Sequence, residues 1–167
     1  MKNWILLFVL AISVKGTMAQ SDTPAYKRFP TIPPISLIQI DSTMLTKENL
    51  KKHQATMIMY FSPSCEHCQH QMDDMVKHMD QLKKIQIVMV TYQPFEEMVE
   101  FYKNYNIASY PNIKLGRDAK FVLPPFYHIQ SLPFMALYDK KGSFITTFEG
   151  NVKIDKLMAA FSKKAND

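Results

Sequence analysis

The sequence is poor in cysteine. Cys65 and Cys68 are the two cysteines in 167 residues, and they stand three positions apart. A small exported protein that uses disulfides as structural staples spreads four or more cysteines along its chain. A bond between this pair would close almost no loop and would add little stability. The pair therefore indicates a functional role, and a disulfide-stapled scaffold is excluded.

Long apolar runs and a basic stripe are also missing. After the first residues, no apolar run is long enough to span a bilayer. The net charge of +5 comes from scattered lysines that do not alternate with aromatic residues, so we expect no nucleic-acid partner. The length allows one ordinary domain and is too short for two comfortable ones.

Residues 1–19 have the pattern of a cleaved secretory signal peptide. Lys2 supplies a positive start, residues 4–14 an apolar stretch, and Thr17-Met18-Ala19 a cleavage site before Gln20. An uncleaved anchor is the alternative, but this stretch would reach only about 16 Å as a helix, against a hydrocarbon core of about 30 Å. We therefore expect export, most simply to a periplasm, without stable membrane insertion after cleavage.

The rest of the chain is predicted to form a leader and one domain. Residues 20–34 contain four prolines and few core-type residues, which is typical of an extended leader or linker. Residues 35–167 carry a mixed series of strands and helices. Pro124-Pro125 argues against a regular helix in the weakly patterned region 107–129.

The predicted order implies an α/β fold with a central mixed sheet, helices on both faces, and an N-terminal strand and helix as an extension. In chain order we expect a strand at 35–40, a short helix at 46–53, a strand at 57–61, a helix at 65–82, a strand at 84–92, a helix from Pro94, a short strand at 112–115, a turn at 116–118, a hairpin of 132–138 with 143–148, and a helix at 154–161.

The cysteines lie at the start of the helix predicted at 65–82. Its apolar side chains form a stripe roughly 120° wide that includes Cys68 and must face the core. Cys65 lies in the first turn, where unpaired N–H groups and the helix dipole favour a thiolate. In disulfide exchange such an exposed sulfur attacks, and the buried sulfur resolves the mixed disulfide. Glu66 and His67 are candidates for tuning the thiolate, although His67 is equally well explained as a solvated surface residue.

Metal binding is another use of such side chains. Zinc needs four ligands, and His67 and His70 project away from the two sulfurs on the helical wheel. Met72, Met75 and Met79 have thioethers that suit Cu(I), but they lie on the core-facing stripe, where flexible core packing explains them. We therefore predict no metal site and no cofactor.

Three segments carry a family resemblance: Phe61-Ser62-Pro63-Ser64-Cys65-Glu66-His67-Cys68, Tyr127-His128-Ile129-Gln130-Ser131-Leu132-Pro133-Phe134 and Leu137-Tyr138-Asp139-Lys140-Lys141-Gly142. From about residue 35 onward the chain resembles the thioredoxin fold, and within it the TlpA-like and redoxin group of exported thiol-disulfide oxidoreductases. The resemblance implies that Cys65 and Cys68 are catalytic. It also implies a cis peptide bond at Pro133 beside them, a Leu132 backbone that binds substrate peptide, protein thiols and disulfides as substrates, and an upstream redox partner.

The chain departs from this family at several positions. Ser64 stands where the family has Trp, and His67 where Pro is common, which is similar to oxidising members of the superfamily. Gln71 and Met59 stand where TlpA-like proteins and thioredoxin, respectively, carry a carboxylate that moves the proton of the buried thiol. We therefore expect Cys68 to exchange its proton slowly, through water or through another group.

Other functions stay open at this point. Ser62-x-x-Cys65 is similar to the peroxiredoxin motif, but Ile58 stands where that motif has proline, and a second cysteine three residues on is unusual for a thiol peroxidase. The pair could also be an idle disulfide in a binding module, or a Cu(I) carrier. The main hypothesis is thiol-disulfide exchange.

Overall fold

A computed structural model describes residues 23–163. The strands are β1 (Ser36–Gln39), β2 (Met44–Thr46), β3 (Thr56–Tyr60), β4 (Gln86–Thr91), β5 (Ile113–Arg117), β6 (Phe134–Tyr138) and β7 (Phe144–Glu149). The helices are α1 (Ala25–Arg28), α2 (Glu66–Lys77), α3 (Met79–Leu82), α4 (Phe95–Asn104), α5 (Leu123–Tyr127) and α6 (Ile154–Lys163), with 3-10 turns at Lys47–Asn49 and Ile107–Ser109. The predicted signal peptide at 1–19 lies outside the described residues.

The strands form one mixed sheet in the order β2-β1-β5-β4-β3-β6-β7. The inner strands β3, β4 and β5 run parallel to one another, while β6 is antiparallel to β3 and β1 is antiparallel to β5. In this register Tyr60 lies opposite Val90 on one side and Phe134 on the other. The end of β3, from which the cysteine motif follows, therefore lies beside the end of β4 and the start of β6.

Alternate side chains of β3 enter two different cores. Met57, Met59 and Phe61 pack into a core that also holds apolar side chains of α2, α4 and α6. Ile58 and Tyr60 pack into the opposite core with α5 and the N-terminal strands. All five side chains are buried, which explains why this segment reads as a continuous apolar run. The predicted α/β fold, a mixed sheet covered on both faces, is confirmed.

The helix predicted at 65–82 is two helices, because the helical conformation is interrupted at His78. This residue has φ −117° and ψ 25°, and its Nδ1 lies 2.9 Å from the carbonyl oxygen of Asp74, which also accepts the His78 main-chain N–H. The side chain thus competes for the carbonyl that the continuing helix uses. Leu82 at the end of α3 is still fully buried, so the predicted stripe stays on the core side.

Three local predictions are wrong. The 46–53 helix is only a 3-10 turn, preceded by the short strand β2, and the Thr46 N–H donates to Asn49 Oδ1 at 2.7 Å. Gly116-Arg117 is not a turn but the end of β5. Pro124-Pro125 does not prevent α5, because both prolines lie in its first turn, where the N–H groups have no helical partner anyway.

The segment predicted as a leader packs against the sheet from Pro24 onward. Tyr26 on α1 lies 5.9 Å, between ring centroids, from Tyr127 and 5.3 Å from Phe144. Ile32 is buried, and its N–H donates to the Gly142 carbonyl at 3.1 Å. None of the helices within residues 23–163 is both long enough and apolar enough to cross a membrane.

Candidate active site

Cys65 is the N-cap residue of α2. Its φ of −80° and ψ of 115° are extended, and its Sγ accepts the main-chain N–H of Cys68 at 3.4 Å. The approach to the helix is held by two main-chain bonds, from Phe61 N–H to the Val90 carbonyl at 2.9 Å and from Cys65 N–H to the Ser62 carbonyl at 3.2 Å. Cys65 is partly exposed, so the first thiol is fixed at a helix start in a residue that meets solvent.

Cys68 lies one turn further along α2 and is fully buried in the core beneath the sheet face. Burial and a hydrogen bond with the Cys65 side chain raise the pKa of the Cys68 thiol to about 12, against an opposing effect of a hydrogen bond from the Ser62 main chain. Both cysteines are free thiols in this structure. The pair therefore consists of an accessible sulfur in hydrogen-bond contact with one that holds its proton tightly.

Leu132 and Pro133 lie at the same end of the sheet as the cysteine motif. Phe134 pairs with Tyr60, so Pro133 comes just beyond the end of β3, next to the segment that leads into Cys65. The Leu132–Pro133 peptide bond is cis, as the family resemblance implied. Pro133 is buried, and its carbonyl accepts the Gly150 N–H at 2.8 Å. Leu132 is half-buried against the core that Cys65 also contacts.

Glu66 and His67 project from the first turn of α2 into solvent. Glu66 Oε1 lies 4.0 Å from His70 Nε2, with both side chains largely exposed. The main chain of His67 is tied to the loop before α6, since Asn151 Nδ2 donates to its carbonyl at 2.7 Å. Within residues 23–163, no three His, Cys, Asp or Glu side chains lie close enough to share a metal ion.

Gln71 is the polar side chain buried on the Cys68 face of α2. Its Oε1 accepts the Val152 N–H at 2.7 Å, and its Nε2 donates to the Val152 carbonyl at 3.1 Å. The sequence marks Gln71 as a departure from the family but not as the residue that joins α2 to the α6 loop. Met59, the other departure, is fully buried in the apolar core. Asp118, the carboxylate that is buried in the described segment, lies elsewhere and accepts the main-chain N–H groups of Val122 and Leu123 at the start of α5.

A groove of about 660 Å³ opens beside the cysteine motif, between α2 and α4. Pro63 and Ser64 line it on the side of Cys65. Three carboxylates line it as well: Asp73, Glu97 and Glu100. We call this feature the acidic groove. It gives the surroundings of the accessible sulfur a negative charge that the sequence pattern did not predict.

The structure thus has a seven-stranded mixed sheet, a helix capped by Cys65, and a cis proline just before the neighbouring strand β6. A model of the thioredoxin-like domain matches residues 43–165. The chain belongs to the thioredoxin-like domain family. The resemblance to the thioredoxin superfamily is thereby confirmed.

Several solved structures are similar in fold to this thioredoxin-like domain. A secreted disulfide oxidoreductase of Mycobacterium tuberculosis, homologous to DsbE of E. coli, is 15% identical with a TM-score of 0.64, over 78% of this chain and 96% of that one. DsbF of Mycobacterium tuberculosis is 18% identical with a TM-score of 0.66, over 80% and 98%. StoA of Bacillus subtilis is 20% identical with a TM-score of 0.60, over 78% and 98%. Comparison with curated proteins finds no match. At these identities the likeness shows the fold.

Proposed function

We propose that this thioredoxin-like protein is a thiol-disulfide oxidoreductase of an exported compartment, most simply the periplasm, and that Cys65 and Cys68 are its catalytic residues. The observation that carries the proposal is the placement of the two sulfurs. Cys65 is partly exposed at a helix start, and its Sγ accepts the Cys68 N–H at 3.4 Å, while Cys68 is fully buried. Disulfide exchange needs one sulfur that meets the substrate and another that the substrate does not reach.

In the reducing direction, the Cys65 thiolate attacks one sulfur of a substrate disulfide. A Cys65–substrate bond forms, the substrate disulfide breaks, and one substrate thiolate leaves. Cys68 then loses its proton and attacks Cys65 Sγ. The second substrate thiolate leaves, and two electrons have passed from the protein to the substrate. In the oxidising direction, a substrate thiolate attacks Cys65 in the Cys65–Cys68 disulfide, and the same steps run in reverse.

The surrounding residues position the substrate in this proposal. Pro133 shapes the surface beside Cys65, and the main chain of Leu132 offers hydrogen bonds to an extended substrate segment. Glu66 and His67 adjust the charge around the attacking sulfur. Substrates are protein thiols or disulfides, and an upstream dithiol or disulfide partner restores the starting state. The proposal assigns residues 1–19 to a cleaved signal and residues 35–167 to the redox domain.

The proposal is tested by the serine variants of the two cysteines. The Cys68→Ser variant should form a mixed disulfide with a disulfide substrate and hold it, since no second sulfur resolves it. The Cys65→Ser variant is the matched control: it keeps one thiol, but that thiol is buried and should capture nothing. Wild-type turnover by the Cys68→Ser variant would overturn the resolving role, and equal trapping by both variants would overturn the assignment of the attacking sulfur.

A binding module with an idle cysteine pair is the second candidate. One observation favours it: in the described part of the chain, no buried carboxylate lies on the Cys68 face of α2, and Gln71 uses both ends of its amide on Val152. An idle pair predicts that the protein does not accelerate the reduction of insulin disulfides by dithiothreitol. Catalysed reduction, lost in the Cys65→Ser variant, would exclude this candidate.

A further inference from the structure

A cavity of about 400 Å³ lies at the end of the sheet where the inner strand β3 begins. Ile32, Leu50 and Thr56 contribute its buried lining. Six side chains that carry or can carry positive charge surround these residues, all of them exposed: Lys47, Lys51, Lys52, His53, Lys140 and Lys141. They come from the 3-10 turn with its following loop and from the β6–β7 turn, which the fold brings together. We call this feature the basic pocket.

Within residues 23–163, no cation of the basic pocket forms an ion pair of 4.0 Å or less with a carboxylate. The ion pairs of 4.0 Å or less in this part of the chain involve His70, Lys77 and Lys83, none of which lines the pocket. Two carboxylates lie on the same elements. Asp139 accepts the main-chain N–H groups of Lys141 and Ser143, each at 2.8 Å, and Glu48 is fully exposed beside Lys47. The pocket therefore keeps a strong positive charge.

The basic pocket and the cysteine motif lie at opposite ends of the same strand. Thr56 at the start of β3 lines the pocket, and the motif follows Tyr60 at the end of the strand. A strand of this length spans roughly 17 Å. The acidic groove flanks the cysteine end with the carboxylates of Asp73, Glu97 and Glu100. Charge is thus separated along the strand direction, positive at the start of β3 and negative at its end.

An exposed aromatic side chain lies near the basic pocket. Phe29 is 61% exposed and directly follows Lys27 and Arg28. The segment after it is fixed against the β6–β7 turn, because the Ile32 N–H donates to the Gly142 carbonyl. Cationic side chains around an apolar one are the combination that binds the interface of an anionic bilayer, where lysine and arginine meet the headgroups and the aromatic ring enters the acyl boundary.

We propose that the basic pocket binds the anionic headgroups of a phospholipid surface, so that the protein lies on the membrane with Cys65 facing away from it. The ammonium groups pair with headgroup phosphates, and Phe29 inserts at the interface. The carboxylates of the acidic groove are repelled by the same surface, which fixes the orientation. The proposal is independent of disulfide exchange, because neither Phe29 nor any residue of the basic pocket belongs to the proposed redox site.

Sedimentation with lipid vesicles tests the proposal on the full chain. Wild-type protein should bind vesicles of phosphatidylcholine mixed with phosphatidylglycerol, and the binding should weaken as salt is added. Each basic side chain near an anionic surface strengthens binding by about fivefold. A variant with Lys52, Lys140 and Lys141 changed to alanine should therefore bind roughly 100-fold more weakly. Vesicles of pure phosphatidylcholine measure any binding through the apolar N-terminal stretch, which all variants share.

The matched control changes three exposed lysines outside the pocket, Lys103, Lys120 and Lys153, to alanine. It alters the net charge equally and should keep most of the binding. Equal losses in the two triple variants would overturn the pocket in favour of unspecific attraction. Displacement by inorganic phosphate beyond that caused by sodium chloride at the same ionic strength, or equal binding to pure phosphatidylcholine, would overturn the membrane assignment. Both variants should reduce insulin at the wild-type rate. A negative vesicle result would therefore not count against the redox proposal.

Discussion

Gln71 and Val152 are joined by two hydrogen bonds that run in opposite directions between the Gln71 amide and the Val152 main chain. The two residues are 81 positions apart in the sequence. Gln71 is fully buried, and Val152 is nearly so. The pair ties the helix that carries both cysteines to the loop before α6, and it satisfies two main-chain groups that would otherwise be buried without partners.

Replacing Gln71 by leucine should destabilise the protein. The Val152 N–H and carbonyl would lose their partners inside the core, and each unsatisfied group costs about 1–3 kcal/mol. We expect a loss on the order of 3 kcal/mol in the free energy of unfolding, measured by urea denaturation. The control is Asn151→Ala, which removes one exposed hydrogen bond to His67 and should lower the stability by less than about 1 kcal/mol. Equal effects would show that the Gln71 bonds contribute little.

Replacing Gln71 by glutamate should make the stability depend on pH. A protonated Glu side chain can donate to the Val152 carbonyl and accept from its N–H, as Gln71 does. An ionised one cannot donate, and burial disfavours its charge. Burial raises the carboxyl pKa above its unfolded value, so the variant should be near wild type in acid and should lose stability as the pH rises. Parallel pH profiles for the variant and wild type would contradict this.

The reduced protein should lose stability in alkaline solution through Cys68. Its pKa is raised from 9.0 to about 12, so the folded state holds the proton that the unfolded chain releases. Stability is therefore complete below pH 9 and falls as the pH rises towards 12. The loss should be on the order of 2–4 kcal/mol. Oxidised protein is the control, because its Cys68 carries no thiol proton; the difference between the two denaturation curves isolates this effect from the tyrosines and lysines.

Tyr60→Phe should stabilise the protein. The Tyr60 hydroxyl is buried and has no hydrogen-bond partner among residues 23–163, so removing it should raise the free energy of unfolding by about 1–2 kcal/mol. Tyr127→Phe is the matched control: the Tyr127 hydroxyl pairs with that of Tyr138 inside the same core. That change leaves Tyr138 unpaired and should lower stability by a similar amount. The two variants should thus shift the melting temperature in opposite directions, and a loss in Tyr60→Phe would contradict the assignment.

The acidic groove should make the proposed disulfide exchange sensitive to substrate charge. Cystamine, a dication, should oxidise the reduced protein faster than the dianion dithiodiglycolate, because the carboxylates beside Cys65 attract the first and repel the second. Changing Glu97 and Glu100 to glutamine should reduce the ratio of the two rates by about three- to tenfold, and added salt should shrink the difference. Glu48→Gln, at the opposite edge of the sheet, should leave the ratio unchanged. If neither the Glu97 and Glu100 changes nor added salt altered the ratio of the two rates, the acidic groove would have no part in attracting substrates.

The sequence predicts the local parts of this molecule and misses the contacts between distant parts. The continuous apolar run of β3 and the helical stripe of α2 place Cys65 at a helix start and Cys68 in the core, as the structure shows. The sequence predicts a turn at Gly116. In β5 it faces Leu37 so closely that an added Cβ would lie 2.7 Å from the Leu37 Cβ. That constraint comes from strand pairing, which no local pattern reveals.

The same distinction holds at the site. The spacing of the cysteines and the family resemblance are local, and they indicate the sulfurs, Leu132 and Pro133. The partners of Gln71 and the charges of the acidic groove depend on α4 and on the loop before α6, which are remote in the chain. Periodicity says which side of a helix is buried, but not which polar group it meets there.

The position of β3 inside the sheet determines how the cysteine motif would be held through the proposed redox cycle. All five residues of β3 are paired with β4 on one side and with β6 on the other. Because β3 has a hydrogen-bonded neighbour on each side, its amide hydrogens should be among the slowest in the protein to exchange with solvent. Thiol exchange at the end of this strand breaks no ladder hydrogen bond. We therefore expect the proposed oxidation and reduction to leave the slowly exchanging centre of the molecule unchanged.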